Sequence, residues 1–267
     1  MNRIERRFAE LREKGETAFI PFITAGDPTL EQTEELVLAL ADAGADIIEL
    51  GVPFSDPLAD GVVNQEAAQR ALLHHVTLHD IVALIGRLRK RTEVPLMLFT
   101  YYNPVLAYGA EALATEAAQA GADGILCVDL PPEEAESYRT AMAAKGLSTV
   151  FLLAPTSTDE RIQRIAEAST GFIYYVSRTG VTGEQVKIED SVRGMVKKIK
   201  QHSDMPVAVG FGISNPEQAA EVAGMADGVV VGSAIVRMIG ELGDTPDTAR
   251  KVGAFVSTLV SATKGKA

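Results

Sequence analysis

Glu49 and Asp60 lie in one stretch, IIELGVPFSDPLADG (47–61), and their types and placement suit proton-transfer chemistry. Glu49 interrupts an apolar run where a strand is expected to end. A charged, unpaired carboxylate buried there costs on the order of several kcal/mol, so its presence calls for a reason. A buried salt bridge is the plainer one, but no neighbouring strand end carries a Lys or Arg to complete it. A glutamate walled by Phe22 and Tyr174 is expected to keep its proton to an unusually high pH and so to exchange it near neutrality. Asp60 falls on the following loop. It is expected to stay ionised and to hold a hydrogen-bond donor or a developing positive charge, unless it only fixes the loop through an Asx turn.

Other chemistries lack their residues. Schiff-base catalysis needs a lysine at a strand end, whereas lysines such as Lys90, Lys145 and Lys197 fall in helices, tails or loops. The four histidines, His74, His75, His79 and His202, all lie in helical segments or their connections. The pair His74-His75 is expected to end a helix rather than to bind metal, and no metal site is expected. A single cysteine, Cys127, excludes an intrachain disulfide and a Cys-cluster metal site. No strand-end serine has a histidine partner, and no dinucleotide fingerprint follows the first strand.

A second feature is glycine. The turns VGFGISNPEQ (209–218) and VVGSAIVRMI (230–239) follow two late apolar runs, and SRTGVTGEQ (177–185) brings Gly183 to the same side. Backbone N–H groups of Gly212, Ile213, Gly232 and Ser233 could approach phosphate oxygens there, with the Ser233 hydroxyl as a further donor. Tight turns alone would also use glycine.

The elements that must position these residues are short. DAGADIIELG (42–51), QAGADGILCVD (119–129) and AGMADGVVVG (223–232) repeat one helix-to-strand joint. Between them lie apolar runs at 17–24, 94–99, 148–153, 171–176 and 205–210, which makes eight strands in all. Strands apolar on both faces belong to a buried parallel sheet. Helical patterns separate them, as at 30–44 and 133–146, with Pro132 and Asn215-Pro216 at helix starts. The expected architecture is a (β/α)8 TIM barrel forming one domain over 1–267; an open doubly wound sheet is the alternative. Ile4, Phe8 and Leu11 share a helical face in segment 1–14, which is expected to cap the barrel bottom, and 247–263 reads as the last helix. The C-terminal strand ends would then gather Phe22, Phe99, Tyr101, Leu126, Leu153, Tyr174 and Phe211 around the carboxylates. Any one of these could be plain core. Their convergence suits a flat apolar substrate.

The totals agree with a soluble enzyme. The chain has 267 residues, 46% hydrophobic and 23% charged, with a formal net charge of -11. That charge makes nucleic acid and anionic membranes poor partners. No run reaches the roughly 20 apolar residues of a membrane span, and the N-terminus does not read as a signal peptide. A cytoplasmic location is expected.

Several motifs together resemble one family. ELGVPFSDPLADG closely matches the signature of the tryptophan synthase α subunit, as do PFITAGDP (21–28), YYNPV (101–105), SRTGVTG (177–183), GFGIS (210–214) and GSAIV (232–236). The resemblance covers nearly the whole chain. It implies a (β/α)8 lyase that cleaves indole-3-glycerol phosphate to indole and glyceraldehyde 3-phosphate. It also implies that Glu49 is the acid–base glutamate, that Asp60 hydrogen-bonds the indole N–H, and that Tyr174 stands beside them. Phe22, Phe99, Tyr101, Leu126, Leu153 and Phe211 match pocket positions; Gly183, Gly212, Gly232 and Ser233 match the phosphate site; Thr182 matches a threonine on a loop that closes over Asp60. The implied partner is a β subunit in an α2β2 complex, which carries pyridoxal phosphate, with no cofactor in this chain. The loop 52–60, residues Tyr102, Asn103 and Pro104, and the loop 177–190 with Arg178 would form the face toward it. Departures from the family pattern are Val62, Ala68, Phe99 and Cys127. A related indole-glycerol-phosphate synthase would need a strand-end lysine, and a phosphoribosyl isomerase would leave the ELGVPFSDPLADG motif unexplained. A catalytically idle regulatory barrel would have no need of Glu49, Asp60 and the glycine turns together.

Overall fold

The computed structural model describes residues 1–177, 188–210 and 212–265. Its strands, in chain order, are β1 (Ala18–Thr24), β2 (Ile48–Gly51), β3 (Leu96–Thr100), β4 (Gly124–Cys127), β5 (Ser148–Val150), β6 (Leu152–Leu153), β7 (Ile173–Val176), β8 (Val207–Gly210) and β9 (Gly228–Val231). They form one sheet in the order β5-β4-β3-β2-β1-β9-β8-β7-β6, and every pairing is parallel. The two edges of that order are consecutive in the chain. β5 bonds back to β4 and β6 bonds forward to β7, so the expected fifth strand, 148–153, joins the sheet's two ends and is interrupted at Phe151. Hydrogen bonds continue across the break, from Thr170 N to Thr149 O at 2.7 Å and from Tyr174 N to Phe151 O at 3.3 Å. Eight expected strands thus appear as nine segments of a nearly closed barrel.

Side chains alternate across this wall, as the period of a strand requires. Ile20, Ile47, Met97, Leu126, Val150, Phe172, Tyr174, Ala208 and Val230 pack into the barrel interior. Phe19, Ile23, Ile48, Leu98, Ile125, Tyr175 and Val209 face the surrounding helices. Both faces are apolar, which is why the strands read as continuous hydrophobic runs.

The bottom of the barrel is closed by the helix Arg3–Lys14, as its pattern predicts. Asn2 and Glu5 form a capping box, and Gly15 ends the helix in the left-handed region. Its buried Ile4, Phe8 and Leu11 join the interior cluster, with the Phe8 and Phe172 rings 5.5 Å apart.

The three repeated joints have a structural explanation. In each, the aspartate accepts a backbone N–H at the start of the neighbouring strand. Asp46 accepts from Phe19 at 2.7 Å, Asp123 from Leu96 at 2.9 Å and Asp227 from Val207 at 2.7 Å. Cations then neutralise each carboxylate: Arg7 and Lys264 at Asp46, Arg3 and Arg89 at Asp123, and Lys200 at Asp227. Placed at the N-terminal ends of the strands, these aspartates clamp the register of the barrel.

The helices follow their expected positions with small changes. The span expected as one helix at 133–146 is a 3-10 turn, Pro132–Glu134, followed by the helix Glu136–Ala143. The helix Val62–Leu73 ends at His74, with His75 at a positive φ of 55°. The pair therefore terminates a helix, and among the described residues no cluster of metal-ligating side chains forms. The last helix is Thr248–Lys264.

Candidate active site

β2 carries Glu49 to the C-terminal mouth of the barrel and turns it inward. Its neighbours in register are Phe22 on β1 and Met97 on β3. The side chain is completely buried, and among the described residues neither carboxylate oxygen has a hydrogen-bond partner. Burial alone, with no compensating cation, pushes its pKa up to about 8. At neutral pH the group is mostly a carboxylic acid.

Tyr174 projects inward from β7. Burial, and then the charge of Glu49, raises its hydroxyl pKa well above the usual tyrosine value, so it stays neutral. Gly210 on β8 makes room for it, since a Cβ there would stand 2.8 Å from the Tyr174 hydroxyl. On the other side, the Phe22 and Phe99 rings meet edge to face, 5.1 Å apart at 75°.

Asp60 lies half-buried on the loop between β2 and the helix Val62–Leu73. The Tyr101 hydroxyl donates to its Oδ2 at 2.9 Å and accepts from the Ala59 backbone N–H, also at 2.9 Å. Gln65 Nε2 donates to the Asp60 carbonyl at 2.8 Å, which ties the loop to the helix start. Burial raises the Asp60 pKa, and hydrogen bonds from Tyr101 and from Asn64 oppose that shift. A loop carboxylate expected from the sequence to stay ionised is thus partly desolvated.

Beside these groups lies a cavity of about 370 Å³ walled by Phe22, Phe99, Tyr174, Val176 and Asn64, with Gly212, Gly232 and Ser233 at one side. Gly232 is the N-cap of the helix Ser233–Leu242 and offers no side chain to cap it. The first amides of such a helix have no intrahelical partner and face an anion favourably. Gly212 sits at φ +61°, a conformation that disfavours any L side chain.

The structure places the expected residues unevenly. Phe22, Phe99, Tyr174, Gly212, Gly232 and Ser233 line one cavity; Glu49, in register with Phe22, and Asp60, next to the cavity's Gly61, adjoin it without lining it. Leu126 is buried in the interior cluster beneath the cavity. Tyr101 acts on Asp60 through its hydroxyl rather than through its ring face. Ile213 buries its side chain in the outer layer against the helices. Leu153 is a correction: it pairs in register with the outward Tyr175 and packs outside the barrel, whereas Leu152 pairs with the inward Tyr174 and packs on the interior cluster. The reading of a continuous run placed the strand correctly but its parity one residue off. Thr182, Gly183, Phe211 and Arg178 lie outside the described residues. Asn64, Val176 and Ser177 line the cavity without having been singled out in the sequence. No sequence signal marked Asn64, an asparagine in the first turn of a helix.

A larger cavity, about 580 Å³, opens at the opposite end of the barrel beside Phe8, Arg12 and Thr17. Its Lys264 and Asp227 are already paired, as strand clamps.

A parallel (β/α)8 barrel with a proton-holding glutamate and a second carboxylate at its C-terminal mouth defines a class, the barrel enzymes that work by acid–base chemistry at strand ends. Comparison with known proteins narrows the class. Residues 8–264 match the family model described as tryptophan synthase alpha chain. The tryptophan synthase alpha chain of Geotalea uraniireducens is 51% identical over 265 residues, covering 99% of this chain and 98% of the relative. That of Opitutus terrae is 48% identical, covering 99% and 100%. The crystal structure of tryptophan synthase subunit alpha from Legionella pneumophila superposes with a TM-score of 0.91 at 38% identity, covering 98% of both chains. The chain belongs to the tryptophan synthase alpha chain family, and with it to the lyases of tryptophan biosynthesis.

Proposed function

We propose that Glu49 and Asp60 carry out the retro-aldol cleavage of indole-3-glycerol phosphate to indole and glyceraldehyde 3-phosphate. The protonated Glu49 delivers its proton to carbon 3 of the indole ring. The ring nitrogen becomes cationic, and Asp60 stabilises it by accepting its N–H. The bond between carbon 3 and the glycerol chain then breaks, and its electron pair restores the aromatic ring. The 3'-hydroxyl loses its proton as the aldehyde forms, and the Glu49 carboxylate takes that proton up. The ring is the electron sink, so the step draws on no cofactor in this chain.

The observation that carries this reading is the isolated, fully buried Glu49, whose pKa is lifted to about 8 by burial. Phe22, Phe99, Leu126 and Tyr174 wall the ring, with Phe211 assigned there by family resemblance and Leu152 in place of Leu153. Tyr101 orients Asp60. The phosphate is held by backbone N–H groups of Gly212, Ile213, Gly232 and Ser233; the family resemblance adds Gly183 and Thr182, which lie outside the described residues. The whole chain, 1–267, serves as one barrel domain.

Indole passes to a β subunit in an α2β2 complex, and pyridoxal phosphate belongs to that partner. No described helix is long and apolar enough to cross a membrane, and the enzyme works in the cytoplasm. The decisive experiment is indole release from indole-3-glycerol phosphate by the purified chain. Release that disappears in Asp60→Asn while substrate still binds supports the assignment. Cleavage at the wild-type rate in that variant rejects it.

A further inference from the structure

Asp27 and Arg70 lie outside the cavity, but separate elements of the barrel mouth meet at them. Asp27 follows β1 and is 2% exposed. Arg70 stands on the helix Val62–Leu73 and donates to both oxygens of that carboxylate, from Nε to Oδ1 at 2.7 Å and from Nη2 to Oδ2 at 2.8 Å. Such a forked pair fixes direction as well as distance. The same guanidinium rests on the helix Ser233–Leu242. A Cβ at Gly240 would stand 2.8 Å from Arg70 Nη2 and 3.1 Å from its Cζ, so the side chain sits there only because the helix surface is bare.

Each helix held in this way leads to one half of the site. The helix Val62–Leu73 begins just after Asp60, and Gln65 near its start donates to the Asp60 carbonyl at 2.8 Å. The helix Ser233–Leu242 begins at Gly232, which lines the cavity. On the function proposed above, cleavage needs the ring N–H at Asp60 and the phosphate at Gly232 at the same time. The spacing of the two helices therefore enters the rate, and a misplacement of about 1 Å costs up to roughly 10²-fold. We propose that Arg70 is a positioning residue, which sets the Asp60 helix against the phosphate helix through its fork to Asp27 and its seat on Gly240.

The test uses Arg70→Lys and Gly240→Ala. Lysine keeps a charge for the buried Asp27 but cannot form the fork. Alanine suits a helix better than glycine, yet its methyl group meets a guanidinium that cannot swing aside without leaving Asp27. Calorimetry with glycerol 3-phosphate, the product with its aldehyde reduced, gives the phosphate affinity and counts competent sites, so unfolded protein drops out. In both variants kcat per site for indole-3-glycerol phosphate should fall by roughly tenfold or more, within the cost of such a displacement, while glycerol 3-phosphate binds as tightly as in wild type. A purely structural bridge would leave kcat per site unchanged, and that result in either variant overturns the inference. So does a fall in kcat matched by weaker glycerol 3-phosphate binding, which would place the damage in the phosphate site itself. Failure of wild type to bind glycerol 3-phosphate or to cleave indole-3-glycerol phosphate would instead reject the proposed function.

Discussion

Glu49 holds its proton because nothing around it offers a better arrangement for the charge. Among the described residues no group donates to it, and Tyr174 is itself kept neutral by burial and by the carboxylate. Glu49→Gln keeps the shape and removes the titrating group. It should lower the cleavage rate by at least about 10²-fold, typical of the low end for general acid–base groups, while substrate binding measured by calorimetry persists. Retention of more than about a tenth of the rate (on the same scale) would remove Glu49 from the chemistry. The raised pKa also has a signature in stability. Below about 4.5 the carboxyl is protonated in both folded and unfolded chains. Between there and about 8 the unfolded chain ionises while the folded one must keep the proton, so this group's contribution to stability falls as pH rises and levels above 8. The glutamine variant has no such loss. Its melting temperature relative to wild type should climb from pH 5 to pH 8 and then stay flat; a difference independent of pH would show that the carboxyl is solvated or paired. Glu49 was legible because a carboxylate in an apolar strand end, with no cation at a neighbouring strand end, has few structural uses. Asn64 was not, because an asparagine at a helix start usually serves the backbone, and its unpaired oxygen exists only in three dimensions.

Among the elements, the βα turns at the mouth separate binding from chemistry. Gly212 has φ +61°, and an L residue there costs about 1–2 kcal/mol. A Cβ at Gly232 would lie 3.4 Å from Phe22, an ordinary contact, so a larger side chain there fits the fold but fills the approach to the helix N-terminus. Gly212→Val and Gly232→Val should therefore each raise KM for the phosphorylated substrate by roughly tenfold or more, the scale of one lost charge-assisted hydrogen bond, with kcat changed little. Steady-state kinetics checks this, and an unchanged KM in both variants would move the phosphate elsewhere. The strands show the limit of reading runs. A strand apolar on both faces gives no alternation to count, so 148–153 was placed correctly while its inward residue was misassigned to Leu153 rather than Leu152. The interruption at Phe151, where the chain turns from one neighbouring strand to the other, is set by barrel closure.

Across the whole molecule, we propose that the mouth of the barrel is also the face offered to the β subunit. Leu58, on the loop that presents Asp60, is 94% exposed, and Leu106, on the helix after β3, is 64% exposed. Asp56 is exposed on the same loop and accepts from Ser55 at 2.6 Å. Apolar side chains so open beside an active site are natural contacts for a β subunit. Binding there would fix the Asp60 loop, so an excess of cognate β subunit should accelerate cleavage, and substrate bound here should in turn change the partner's affinity. Sedimentation and rate measurements across a β titration test this together. No complex and no change in rate would mean that the chain works alone.

Order along the chain was enough to determine the fold and to single out Glu49 as the candidate proton holder. Repeated helix-to-strand joints and two-faced apolar runs leave few architectures, and a lone glutamate in such a run marks where a proton is held. These are local properties, carried by residue type and spacing. The tertiary structure decided what depends on closure and on which side of the wall a residue faces. It turned Leu152 inward, set Tyr101 to orient Asp60, made the repeated aspartates clamps on neighbouring strands, and left the Asn64 oxygen without a partner. Each joins residues far apart in sequence or depends on the absence of a neighbour, and an absence is settled only when every element around the site is in place.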